Sequence, residues 1–350
     1  MRKQLLLTLH TVRHLKPRQL WYQLWYRIKN RFIRLSGYDA YNNSSLYPVL
    51  SNCFGLIPGE NKYRPVNRFS FLNQHHAFPS DIDWNFMGYG KLWNYNLQYF
   101  DWIHDESIPE QDMQRMIDSM SAALLDNSVR LEPYPVSLRI VNWIIYFSRT
   151  GYRSAVFEKA LKCQIHYLRN NLEYHVQANH LMENDITLVF GAILLNDEEL
   201  FMHSCRRLQK DLDEQILPDG AHYECSPMYH CILLGKLLLL LHMMRTKASE
   251  PDWLRSKVES MLSWLRTFSF NQENWAHVND ATNGIAPDIR SIRAMAERLD
   301  LVTTPTPMNA SGFRKFASGG LELLFDACNI MPVFQPGHTH SDMLQVVISQ

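Results

Sequence analysis

No acidic residue occurs before Asp39, while Arg2, Lys3, Arg13, Lys16, Arg18, Arg27, Lys29, Arg31 and Arg34 are all basic. The 350-residue chain is neutral as a whole, so the part that follows is acidic on balance, which argues against nucleic acid as the partner. Paired cysteine motifs are also missing. Cys53, Cys163, Cys205, Cys225, Cys231 and Cys328 are scattered, and none forms CxxC. That excludes a zinc knuckle and a disulfide framework and leaves small buried thiols. The most apolar run, "CILLGKLLLLLHMM", is broken by Lys236 and His242. It is too short to span a bilayer and reads as a buried helix. "LLLTLH" is too short for a convincing signal peptide, and no small-residue cleavage site follows it.

What is abundant is apolar and aromatic. Hydrophobic residues make up 46% of the chain and aromatics 12%, with nine Trp and sixteen Tyr. Such a chain can bury a sizeable core, and its rings suit stacking on a flat ligand such as a sugar. Residues 1–37 read as a basic helical arm. "RQLWYQLWYRIKNRFIR" reads as a helix packed on the main body, and its composition also suits a membrane surface or an anionic polymer. Residues 38–94 read as an extended, loop-rich wrap. Apolar spacing of three and four then predicts helices near 95–104, 109–127, 136–149, 153–173, 177–195, 198–216, 227–247, 251–270 and 287–300. Short links between them favour antiparallel neighbours. After about residue 302 the pattern changes, and "GGLELLFDACNIMPVF" and "DMLQVVIS" read as strands.

Several stretches carry chemistry. "DGAHYECSPMYH" (Asp219–His230) crowds His222, Tyr223, Glu224, Tyr229 and His230 together. Asp219-Gly220 predicts a turn, Ser226 an N-cap and Pro227 the first helical position. Tyr229 then stands in the first turn, where the helix dipole would favour a tyrosinate by roughly 0.3–1 kcal/mol. In "VQANHLMEND", Asn179, His180 and Glu183 share one end and one face of a helix, which suits either a cap or a site. In "PGHTHSD", His338, His340 and Asp342 alternate along one strand face, which suits metal ligation or a plain polar face. "NYNLQYFDW" and "PYPVSLRIVNWI" set rings beside Asn96, Arg139 and Asn142, with Tyr95 among those rings. That mix suits sugar binding or a capped helix core. "HVNDATNG" is a polar loop able to present Asn279 or Asp280.

In order along residues 90–345, "NYNLQYFDW", "EPYPVSLRIVNW", "ANHLMEN", "DGAHYECSPMYH", "VND" and "PGHTHSD" together resemble the heparinase II/III family of polysaccharide lyases. The resemblance implies a mainly α chain. A toroid of antiparallel helix pairs over 38–301, incomplete here, would be followed by the start of an antiparallel β-sandwich over 312–350. It implies β-elimination on a uronic-acid-containing polysaccharide, with Asn179 or its neighbour His180 neutralising the carboxylate, and Tyr229 and His338 as proton-transfer residues. His340 would be a metal ligand for zinc or calcium, in a ligand set that this sequence leaves incomplete. Arg139, Tyr95, Asn96, Asn142, Glu183 and Asp280 would line the substrate, and His222, Glu224 and His230 would hold or tune Tyr229. The family suggests the periplasm or cell envelope; the lack of a clear signal peptide leaves the cytoplasm open. The unfinished sandwich suggests a fragment of a longer protein, with activity in doubt if truncated. Two other readings fit the residues. One is a glycoside hydrolase using Glu183, Glu224 or Asp280 as paired carboxylates. The other is a non-catalytic protein that binds acidic polysaccharide or assists surface-polysaccharide assembly.

Overall fold

The computed structural model describes residues 17–29, 38, 41, 44–48, 62–64, 67–247, 250–271, 273–329 and 344–350. The chain divides into two compact units. The first comprises Met1–Trp25, Tyr174–Asn179 and Arg207–Gln350; the second comprises Tyr26–Glu173 and His180–Arg206. Among the described residues the helices are α1 (Pro17–Lys29), α2 (Lys91–Tyr99), α3 (Glu110–Leu125), α4 (Pro133–Thr150), α5 (Ala155–Arg169), α6 (Ala178–Leu195), α7 (Glu198–Gln215), α8 (Pro227–Thr246), α9 (Asp252–Phe268) and α10 (Ile289–Arg298). The sequence expectation of a mainly α chain ending in antiparallel strands holds, and helix ends fall within a few residues of their predicted places. Local chemistry fixes several of those ends. Ser154 caps α5 by accepting the Phe157 N–H at 3.1 Å, and Asp288 caps α10 by accepting the Ser291 N–H at 2.8 Å. Gly151 ends α4 at φ 68°, a left-handed position suited to glycine.

In the second unit, α3 packs on α5, and α4 packs on α2 and α5. Its core is aromatic: Trp93, Trp102, Trp143, Phe100, Phe147 and Phe157 are fully buried. Phe100 ends α2 at φ 61°, a conformation that costs a bulky residue energy. Its ring is held there between Trp84, Trp102 and Trp143, at 5.3, 4.7 and 5.4 Å between centroids. The region read from sequence as a loop-rich wrap also contains a small antiparallel sheet, β1 (Tyr63–Arg64), β2 (Arg68–Phe71) and β3 (Gln74–Ala77). Leu72 and Asn73 turn β2 into β3, both with positive φ. That backbone matches the favoured two-residue hairpin turn, but leucine is a poor signal for it, so the hairpin is hard to read from sequence.

In the first unit, α8 packs on α9 and α10. Among the described residues α8 is the one helix long and apolar enough to cross a membrane, but most of it is buried, as a core helix would be. The antiparallel sheet β4 (Phe313–Ser318), β5 (Leu321–Asp326) and β6 (Val346–Ser349) follows the helices, and Gly319 and Gly320 turn β4 into β5 with positive φ. The sheet is tied to the helices. Phe313 packs on Phe268, which stacks on Trp264. Asp219 Oδ2 accepts both the N–H and the hydroxyl of Ser311, at 2.7 and 2.8 Å. His338, His340 and Asp342 lie outside the described residues.

The turn before α8 is held by buried polar groups. His230, fully buried, accepts the His222 N–H on Nδ1 at 3.3 Å and donates from Nε2 to the Met261 carbonyl at 3.2 Å. A carbonyl can only accept, so the ring is the neutral Nε2–H tautomer. Burial pulls its pKa down to about 3. Gly220, at φ 91°, passes so close to α9 that an added Cβ would lie 2.1 Å from the Ser260 carbonyl oxygen.

Three outcomes are expected. Gly220→Ala combines a left-handed backbone with a clash against another backbone, so it should cost more than about 2 kcal/mol in urea unfolding. Gly151→Ala meets no atom within 4 Å and should cost only about 1 kcal/mol. For His230, the unfolded imidazole takes a proton near pH 6.5 and the folded one only near 3. Stability from this residue is therefore full above about pH 6.5 and is lost as pH falls toward 3, by about 1.4 kcal/mol per pH unit. Urea unfolding between pH 6 and pH 4 should show a shallower pH slope for His230→Gln than for the parent chain.

Candidate active site

In the first unit, Tyr229 stands in the first turn of α8, as expected. Ser226 is the N-cap and accepts the Tyr229 N–H at 3.3 Å, and Pro227 occupies the first turn. The Ser226 hydroxyl also donates to the Asp280 carbonyl at 2.7 Å. Asn279, at φ 52°, donates from Nδ2 to the Cys225 carbonyl at 3.2 Å. These bonds bring the "VND" loop to the helix mouth, and there the Tyr229 hydroxyl donates to Asp280 Oδ2 at 3.0 Å. Tyr229 and Asp280 were separate candidates in the sequence; the fold makes them partners across 51 positions.

The pair changes one expectation. The helix terminus favours a tyrosinate, but burial, followed by the Asp280 carboxylate and then Glu224, pushes the Tyr229 pKa well above its ordinary value. A helix-end effect of about 1 kcal/mol or less does not offset desolvation beside two carboxylates. Tyr229 is therefore a phenol, a proton donor at neutral pH.

Behind it, His222 and Glu224 are buried, each about 1% exposed, so neither side chain presents a surface. His222 Nε2 meets Gln215 Oε1 at 3.1 Å, and the same Gln215 amide donates to the Ala178 carbonyl at 3.3 Å. Gln215 was not singled out in the sequence. It links the turn before Tyr229 to the residue before Asn179. Gln177 and Ala178 both have positive φ, at 65° and 50°. Backbone strain of this kind gathers at functional positions. Asn179 is half-buried, and its Oδ1 is a buried atom with no hydrogen-bond partner among the described residues.

The second unit carries a row of half-buried rings. Tyr95 packs near Tyr99 (6.2 Å), Tyr99 edges Tyr134 (6.0 Å), and Tyr134 stacks on His180 (4.1 Å, 28° between planes). Tyr95 donates its hydroxyl to Glu132 Oε2, which also meets Lys91 at 2.7 Å. His180 Nδ1 meets Glu173 Oε1 at 3.2 Å. Glu173 is clamped by Asn184, whose Nδ2 donates to Oε2 at 3.1 Å and whose Oδ1 accepts the Glu173 N–H at 2.8 Å. Tyr99, Tyr134 and Glu173 were not named as candidates. Tyr134 sits in the quoted "PYPV", while Glu173 ends the helix that the sequence predicts over 153–173, which in the structure stops at Arg169 and leaves Glu173 in the link before α6.

Other candidates are engaged within the second unit. Arg139 has no exposed surface; it donates from Nε to Gln164 Oε1 at 2.7 Å and from Nη1 to the Gln98 carbonyl at 3.1 Å. Asn142, buried, donates to the Tyr99 carbonyl at 2.8 Å and accepts from His104 at 3.1 Å. Asn96 donates back to the Leu92 carbonyl of its own helix at 2.8 Å. Glu183 is buried on α6. No group of three or more His, Cys, Asp or Glu side chains among the described residues is arranged to hold a metal ion.

Residues 72–298 match the Heparinase II/III N-terminus family model. The crystal structure of heparinase III is similar, with TM-score 0.59 and 13% identity over 78% of this chain and 52% of that one. The crystal structure of a mutant of the heparan sulfate lyase HepC from Pedobacter heparinus has TM-score 0.55 and 16% identity, covering 94% of this chain and 59% of that one. That of HepC itself gives 0.54 and 15%, covering 93% and 58%. At these identities the likeness shows the fold, and the chain spans between 52% and 59% of the length of these solved relatives. No protein of curated function matches. The family match covers well over half the chain, and the chain belongs to the heparinase II/III family.

Proposed function

We propose that the chain carries the helical part of a polysaccharide lyase acting on a uronic-acid-containing polymer. The observation that carries this reading is the Tyr229–Asp280 pair, a phenol kept protonated at a helix mouth. β-Elimination removes the C5 proton next to the carboxylate, breaks the bond from C4 to the leaving oxygen, and forms a C4–C5 double bond. Two tasks need protein groups. The carboxylate must be met by a donor that stabilises the enolate-like charge, and the leaving oxygen must receive a proton.

Tyr229 suits the second task. Its proton is present at neutral pH and its hydroxyl is oriented by Asp280. Asn179 suits the first, since rotation of its poorly partnered amide would offer an N–H to a carboxylate. The family resemblance implies His338 as a second proton-transfer residue, and with Tyr229 protonated we assign it the role of base. The row Tyr95, Tyr99, Tyr134 and His180 suits the faces of sugar rings.

Ultraviolet absorbance of the unsaturated product, read over a panel of uronate polymers, tests the reading. Tyr229→Phe should lower turnover by at least about a hundredfold, the usual weight of a proton-transfer group. Asp280→Asn, which keeps the hydrogen bond and removes the charge, should lower it less. New reducing ends without absorbance would identify a hydrolase instead. Polymer binding without turnover, unchanged in Tyr229→Phe, would identify a binding protein.

A further inference from the structure

Helix α1 has two faces with opposite fates. Gln19 and Tyr26 are buried, at 2% and 8% exposed. Gln19 donates to the Val176 carbonyl, Tyr26 to the Leu172 carbonyl and Lys29 to the Asn170 carbonyl. Tyr22 packs on Tyr174, and the Arg18 guanidinium lies 3.9 Å from the centre of that same ring. The other face is apolar and open. Trp21, Leu24, Trp25 and Ile28 are 66%, 57%, 46% and 55% exposed. At about 100° per residue they form one stripe roughly 100° wide. A soluble chain gains nothing from four large apolar side chains lined up in water, so such a patch marks an interaction surface.

We infer that this stripe docks on an anionic lipid surface. Three observations choose that occupant. The stripe lies on a helix whose opposite face is already engaged, as in a helix lying in a membrane interface. Its composition is two Trp with Leu and Ile, indoles for the headgroup level and aliphatics for the acyl boundary. And the segment that carries it is cationic in sequence: nine Arg and Lys and no acidic residue precede Asp39, which complements anionic headgroups. An acidic polysaccharide would use the cations and stack on the indoles, but it leaves Leu24 and Ile28 without a partner. The inference does not depend on the lyase reading.

The test uses the full chain with vesicles of phosphatidylcholine alone, or of phosphatidylcholine and phosphatidylglycerol in equal parts. Sedimentation should show binding to the mixed vesicles that is at least about tenfold tighter than to the neutral ones and that weakens with added salt. Trp21→Gln with Trp25→Gln should lose at least about tenfold of that binding with the circular dichroism spectrum unchanged. Leu24→Gln with Ile28→Gln should do the same. In the parent chain, lipids brominated in the acyl chains should quench tryptophan fluorescence, a readout that needs no variant. Binding unchanged in both double variants, equal binding to neutral vesicles, or no quenching would overturn the inference. So would a dimer of the parent chain that dissociates in Trp21→Gln with Trp25→Gln, since the stripe would then belong to a second copy.

Discussion

The Ser226 hydroxyl is the contact on which the candidate site depends. As an acceptor it caps α8 through the Tyr229 N–H, and as a donor it holds the Asp280 carbonyl. One oxygen therefore sets both where Tyr229 begins its helix and where the Asp280 loop lies. Without the cap, the first turn of α8 leaves N–H groups unsatisfied at a buried position, which is costly. Without the bond to Asp280, the carboxylate has no fixed distance to the phenol. The Asn279 amide on the Cys225 carbonyl repeats the tie one residue away, which makes the loop a two-point attachment.

Behind that contact lies a layer of buried polar side chains, and the groups that meet it include two neutral ones. His230 is held as one tautomer between a backbone N–H and a backbone carbonyl, and Tyr229 is held as a phenol. Neutral groups with every hydrogen bond defined can be buried at modest cost, whereas a buried charge needs a partner. This explains how a stretch so rich in titratable residues fits at the mouth of a core helix. Its crowding reflects construction as much as chemistry, with His230 and His222 braced inside and Tyr229 reaching the Asp280 loop.

The sequence carries the helices because their apolar period is long and regular, and it carries the cap at Ser226 because Ser-Pro is a local signal. It carries β5 and β6 as apolar strand-like runs, while β4, mostly exposed, shows only in its pairing with β5. It does not carry the hairpin of β2 and β3, because Leu72 occupies a left-handed turn position and only the fold holds it there. The same limit applies to the site. Tyr229 is visible by its place in the helix, but its proton affinity depends on burial and on Asp280, 51 residues away. Arg139 and Asn142 look in sequence like ligand-facing groups, because a polar side chain beside aromatics looks the same whether it meets a sugar or a carbonyl. Only the packing of α4 shows that they meet carbonyls.

The direction in which Tyr229 is tuned constrains the chemistry that any reading can assign to it. A tyrosine meant to begin as a base needs a cation or several donors to stabilise its phenolate. Among the described residues the Tyr229 hydroxyl donates to a carboxylate, and burial, then Asp280, then Glu224 raise its pKa. All three act against the phenolate, so a phenolate formed by giving up the proton is a strong base that recovers a proton readily. That environment suits a group that starts each cycle charged with a proton and is restored at its end. In the elimination proposed above, such a phenol would serve the leaving oxygen, and the C5 proton would go to another group.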